Sequence, residues 1–151
     1  MKKFIFSLEN VLRYKQETLG MLKNEMTQLQ MKIRELEKTI SGIKREYAEL
    51  NHALALELKS GVISNSMAIY KRYFAELDRR AGSLELQKAA VRKTAAAKQA
   101  EIVHMKSDIS GLEKLRDSQR RAYEAQGRKE QEQVLEEFVS HKRVAADCRM
   151  A

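Results

Sequence analysis

Stepping by seven from Ile5 gives Ile5, Leu12, Leu19, Met26, Ile33, Ile40, Tyr47 and Leu54, apolar at every step. The series three residues on, Leu8, Lys15, Leu22, Leu29, Leu36, Ile43, Leu50 and Glu57, breaks only near its ends. These are the a and d positions of a left-handed coiled coil, and no other regular structure keeps such a ladder on one face for eight repeats. The sequence contains no proline, so no helix interrupter competes with the pattern. The ladder stops at Lys59-Ser-Gly-Val-Ile-Ser-Asn-Ser66, where Gly61 can take the left-handed conformation that ends a helix and Ser64 or Asn65 can cap the next one. From Met67 a second, weaker ladder runs through Met67, Phe74, Ala81, Lys88, Ala95, Ile102 and Ile109 at a, with Tyr70, Leu77, Leu84, Val91, Lys98, Met105 and Leu112 at d.

Folding one ladder on the other about residue 62 pairs positions whose numbers sum to about 124. Leu54 then meets Tyr70, Tyr47 meets Leu77, Ile40 meets Leu84, Ile33 meets Val91, Leu19 meets Met105 and Leu12 meets Leu112. Lys88 falls opposite Leu36 and Lys98 opposite Met26, each able to lay its stem on the seam and send its ammonium outward. The alanines of AAVRKTAAAKQA lower side-chain volume at no cost in helix propensity and let the helices approach closely. The expected fold is all-α: a long antiparallel two-helix coiled coil, or helical hairpin, forming a single domain. Helix 1 covers about 5–58, the turn about 59–66 and helix 2 about 67–142, with a frayed C-terminus at 143–151. At roughly 1.5 Å per residue the first helix would run about 80 Å, and everything after about Gln119 would overhang with nothing opposite it.

This ladder leaves little room for a thick core, and aromatics at 6% with no tryptophan agree with a narrow seam. The net charge of +8 sits mainly in the second half, with 19 bases against 13 acids from Lys59 onward, but acids and bases alternate without a basic patch, so nucleic acid is not an expected partner. A single cysteine, Cys148, cannot form an internal disulfide and fits a reducing compartment. No stretch approaches the roughly 18 apolar residues of a membrane span, and the N-terminal apolar run is too short for a signal segment, so the chain is expected to be cytoplasmic without membrane insertion.

The glycines are scattered singly and build no phosphate loop, and His52, His104 and His141 lack ligand partners at metal spacing. Neighbouring acids such as Glu136 and Glu137 lie on a wet helix face with no pocket to shift a pKa. No catalytic, cofactor or metal site is expected. Function should sit off the seam, in two apolar groups: Tyr73 with Leu58, Val62 and Ile63 near the turn, and Val134, Leu135, Phe138 and Val139 on the overhang, where no intramolecular surface is left to cover them.

Three segments resemble the flagellar type III export protein FliJ family. The opening FIFSLENVLRYKQE carries an F-x-F-x-L-E-x-V-L pattern in Phe4, Phe6, Leu8, Glu9, Val11 and Leu12. GVISNSMAIYKRYFAEL carries Gly61, Val62, Ser64, Asn65, Tyr70, Tyr73 and Leu77, and RKEQEQVLEEFVSHKR is similar to the family's charged tail with Phe138 at its centre. The resemblance implies a non-enzymatic stalk or coupling component of the flagellar export apparatus, similar in shape to the central-stalk gamma subunit of rotary ATP synthases. It would stand at the cytoplasmic face of the inner membrane and bind the export ATPase hexamer, the cytoplasmic domain of the export gate and export chaperones. Phe4, Leu8, Arg13, Val134, Leu135, Phe138 and Arg143 are the expected ATPase contacts, and Tyr73, Val62 and Ile63 the expected gate contacts. The alternative is the equivalent stalk of a virulence secretion system, or an unrelated coiled-coil scaffold.

Overall fold

The computed structural model describes residues 2–61 and 65–150. Two helices, α1 (Glu9–Ser60) and α2 (Asn65–Met150), account for almost all of them, no strand occurs among the described residues, and the two helices pack against each other as an all-α helical hairpin. Glu9 in the first turn of α1 and Lys59 in its last complement the helix dipole. Gly61, at φ 79°, ends α1 in the left-handed region that residues with a Cβ avoid, and its N–H donates to the Leu58 carbonyl at 3.4 Å. Val62, Ile63 and Ser64 lie outside the described residues.

The chain divides into two compact units, one made of Leu19–His104 and the other of Met1–Thr18 with Met105–Ala151. In the first, Leu36, Ile40, Ile43, Leu77, Ala95 and Ile102 are buried, every one of them an a or d residue. Leu77 is 1% exposed. Leu19, Met26, Ile33, Leu54, Tyr70, Leu84 and Val91 are half-buried, as expected where only two helices share a seam, and Tyr47 leans outward with its ring 4.7 Å from that of Phe74. The antiparallel direction is written in the ion pairs that cross the seam. Lys98 meets Glu25 at 2.6 Å, Arg92 meets Glu37 at 2.9 Å and Lys88 meets the same carboxylate at 3.7 Å. The seam lysines therefore do more than send their ammonium to water, because each reaches an acid on the opposite helix. Contact with Glu25 raises the Lys98 pKa. Partly exposed pairs of this kind contribute about 0–1 kcal/mol each, so apolar burial carries the stability and the charges choose the alignment.

In the second unit the core is Phe6, Leu12 and Ile109, with Leu12 1% exposed, and Met105 and Leu112 are half-buried beside them. Lys15 meets Asp108 at 2.8 Å and Arg116 meets Glu9 at 3.7 Å, again antiparallel. Ahead of α1 the chain is not helical, and non-helical backbone covers up to about 3.3 Å per residue against 1.5 Å in a helix. Phe4 consequently reaches along α2 as far as Tyr123, ring centroids 5.5 Å apart, and lies 5.8 Å beneath the Arg120 guanidinium. Coverage of α2 therefore reaches at least Tyr123, beyond the Gln119 at which the overhang is expected to begin.

Candidate functional site

Among the described residues no group of acids, histidines and cysteine could hold a metal ion, and no helix is long and apolar enough to cross a membrane. What the molecule offers is surface, and the surface of α2 changes character near its end. Up to Arg116 apolar side chains return at heptad spacing and are covered by α1. From Gln131 to Arg149 every residue is exposed, yet the segment still carries Val134, Leu135, Phe138, Val139 and Val144. Phe138 is 60% exposed and Leu135 62%. Lys142, one turn on, lies over the Phe138 ring at 5.3 Å, which keeps its charge at the edge of the apolar strip. Arg143 is exposed beside it, and Cys148 is a free, exposed thiol.

The residues expected at the N-terminus are placed differently. Phe4 is half-buried against Tyr123 and Arg120, Leu8 is half-buried, and its carbonyl accepts from the Leu12 N–H at 2.9 Å. Arg13 is exposed. No hydrogen bond, ion pair or ring contact among the described residues joins these three to Val134, Leu135, Phe138 or Arg143. Phe4 and Leu8 thus spend much of their apolar surface within the chain, whereas Val134, Leu135 and Phe138 leave most of theirs exposed. Sequence reasoning passed over Tyr123 and Arg120, which hold Phe4 and extend the same face of α2.

Near the turn, Tyr73 is 44% exposed and its hydroxyl donates to the Glu46 carboxylate across the seam. Its pKa is raised, first by that hydrogen bond and then by the Glu46 charge. Tyr70 is raised too, first by a hydrogen bond to Glu57 and then by burial and the Glu57 charge. Val62 and Ile63, expected beside Tyr73, are outside the described residues. A phenol whose folded pKa exceeds its unfolded one stabilises the fold below the unfolded value, and that stabilisation is lost as pH climbs through the folded value. Glu46→Ala should therefore let Tyr73 ionise at lower pH, visible as an earlier rise of phenolate absorbance when Tyr73→Phe serves as the blank. An unmoved alkaline titration would mean that the hydrogen bond does not form in solution.

A family model described as the flagellar FliJ protein matches residues 4–143 of this chain. No curated protein and no solved structure matches it. The match runs from the Phe4 segment, through both ladders and the turn, to the exposed strip around Phe138. The chain belongs to the FliJ family, a coiled-coil component associated with flagellar protein export.

Proposed function

We propose that this protein is the non-enzymatic central stalk of the flagellar export ATPase, working at the cytoplasmic face of the inner membrane. The ATPase hexamer closes around the C-terminal part of α2 and the first turns of the chain, the cytoplasmic domain of the export gate contacts the region about Tyr73, and export chaperones are further partners. The observation that carries this reading is the exposed segment 131–149, whose Val134, Leu135 and Phe138 form an apolar strip that nothing among the described residues covers. Such a strip costs solubility unless a partner covers it. Arg13 and Arg143, both exposed, supply charge for the rim of that contact.

Because Phe138 and Leu135 already face solvent, removing their side chains should leave the fold alone. Leu135→Ala combined with Phe138→Ala is expected to keep helicity and melting almost unchanged, and to weaken binding to the purified export ATPase at least about tenfold, or 1.4 kcal/mol. Circular dichroism and a binding titration on the same preparation decide it. A sharp fall in melting with undiminished ATPase affinity would place these residues in the protein's own core and move the ATPase contact elsewhere.

A further inference from the structure

The exposed segment has a periodicity of its own. At about 100° per residue, Gln131, Val134, Leu135, Phe138, Lys142, Ala145, Ala146 and Arg149 all fall within about 120° of the α2 circumference. Their pattern repeats every eleven residues, since 131, 134, 135 and 138 are followed by 142, 145, 146 and 149. Eleven residues in three turns is close to the natural pitch of a helix, so two such faces can meet with almost no supercoiling. The contact of Lys142 with the Phe138 ring shows that these two residues share that face. It also continues the face that Phe4 covers at Arg120 and Tyr123, eleven residues before Gln131 and Val134.

The spacing along this face, 3-1-3-4-3-1-3, reads the same in both directions, while the residues on it do not. The large side chains Val134 and Leu135 lie on one side of its midpoint at Ser140, and the small Ala145 and Ala146 lie symmetrically on the other. An antiparallel copy turned about Ser140 sets Val134 and Leu135 against Ala145 and Ala146 of the second copy, large against small, as interdigitating layers require. The same rotation brings Phe138 to Lys142 of the second copy, repeating between chains the cation–ring contact already present within one, and Gln131 to Arg149. A parallel pair would stack Phe138 on Phe138 and Lys142 on Lys142, opposing like charges.

We infer that residues 131–149 pair with the same segment of a second copy of this chain, antiparallel about Ser140. The occupant of the strip in the free protein is another molecule of itself. This needs only the uncovered face and stands whether or not the export ATPase is the segment's other partner, but the two uses exclude each other because both cover Phe138. Some 19 residues of helix per copy bury an area at the low end of specific interfaces, roughly 1,200 Å² in total or less, so the pair is weak and reversible and gives way to a tighter partner.

Sedimentation equilibrium on the full chain, from about 5 to 500 µM, is the test. The average mass should climb from the monomer's 17.4 kDa toward twice that value, and Phe138→Asp should hold it at the monomer. In a Cys148→Ser background, Leu135→Cys with Ala145→Cys should oxidise to a covalent dimer much faster than Leu135→Cys alone. The two positions are about 15 Å apart in one helix, beyond the roughly 7 Å that a disulfide spans, so the bond can only form between chains. A mass fixed at the monomer up to 500 µM, association unaffected by Phe138→Asp, or equally fast crosslinking by Leu135→Cys alone would each overturn the pairing.

Discussion

Leu77→Asp lowers the melting temperature by about 10 °C. Among the described residues Leu77 and Leu12, each 1% exposed, are the most deeply buried large side chains. At that depth an aspartate must either ionise in an apolar seam or force the helices apart. Loss of the leucine's burial and the desolvation of an unpaired carboxylate together cost roughly 3 kcal/mol or more, and in a chain of this size each kcal/mol moves the melting point by about 2–4 °C. Leu77→Ala removes only the packing and should fall between parent and Leu77→Asp. Thermal denaturation followed by circular dichroism measures all three. If the aspartate variant melts with the parent, Leu77 does not sit between the helices and the alignment of the seam is wrong.

The second large effect concerns the segment after Glu130. Among the described residues a stop codon there removes only exposed side chains and the helix that carries them, so the remainder should melt within about 2 °C of the full chain. Binding to the export ATPase should meanwhile weaken by about a hundredfold or more, near 2.7 kcal/mol. Stopping earlier, after Arg121, should do something different, since it deletes the Tyr123 ring on which Phe4 packs and therefore lowers the melting point as well. Two truncations nine residues apart thus separate the part that holds the fold from the part proposed to hold a partner. Loss of stability in the longer one, or intact ATPase binding by it, would refute that division.

The hairpin was legible because its determinant is periodic. Leu12, Ile40 and Leu77 fall on the ladders, and a seven-residue repeat names the face that must be buried without reference to anything distant in the chain. What the repeat could not name were partners that depend on side-chain length and on the path of non-helical backbone. Lys88 and Lys98 are readable as seam positions, but their meeting Glu37 and Glu25 follows from how far an ammonium reaches diagonally between helices. Phe4 belongs to no ladder, and its position on Tyr123 is set by the direction of the residues ahead of α1. Tyr47 occupies an a position yet leans outward, because a ring beside Phe74 is too wide for a seam that leucine or isoleucine would fill. The strip around Phe138 was visible as apolar residues left over, while its eleven-residue pattern emerges only when the segment is read apart from the heptads before it.

A ladder of leucines and isoleucines has a weakness shared by any ruler with equal marks: slid by one whole division, it matches nearly as well. The salt bridges in the Leu19–His104 unit remove that ambiguity. Slide α1 by seven residues in one direction and Lys88 comes opposite Lys44 while Lys98 comes opposite Lys32, two repulsions where there were two attractions. Slide it the other way and the same lysines face Gln30 and Thr18, with no acid to receive them. The numbered marks on this ruler are the carboxylates of Glu25 and Glu37. High salt, which screens them over about 3 Å at 1 M, should leave the hairpin helical while letting it lose its place.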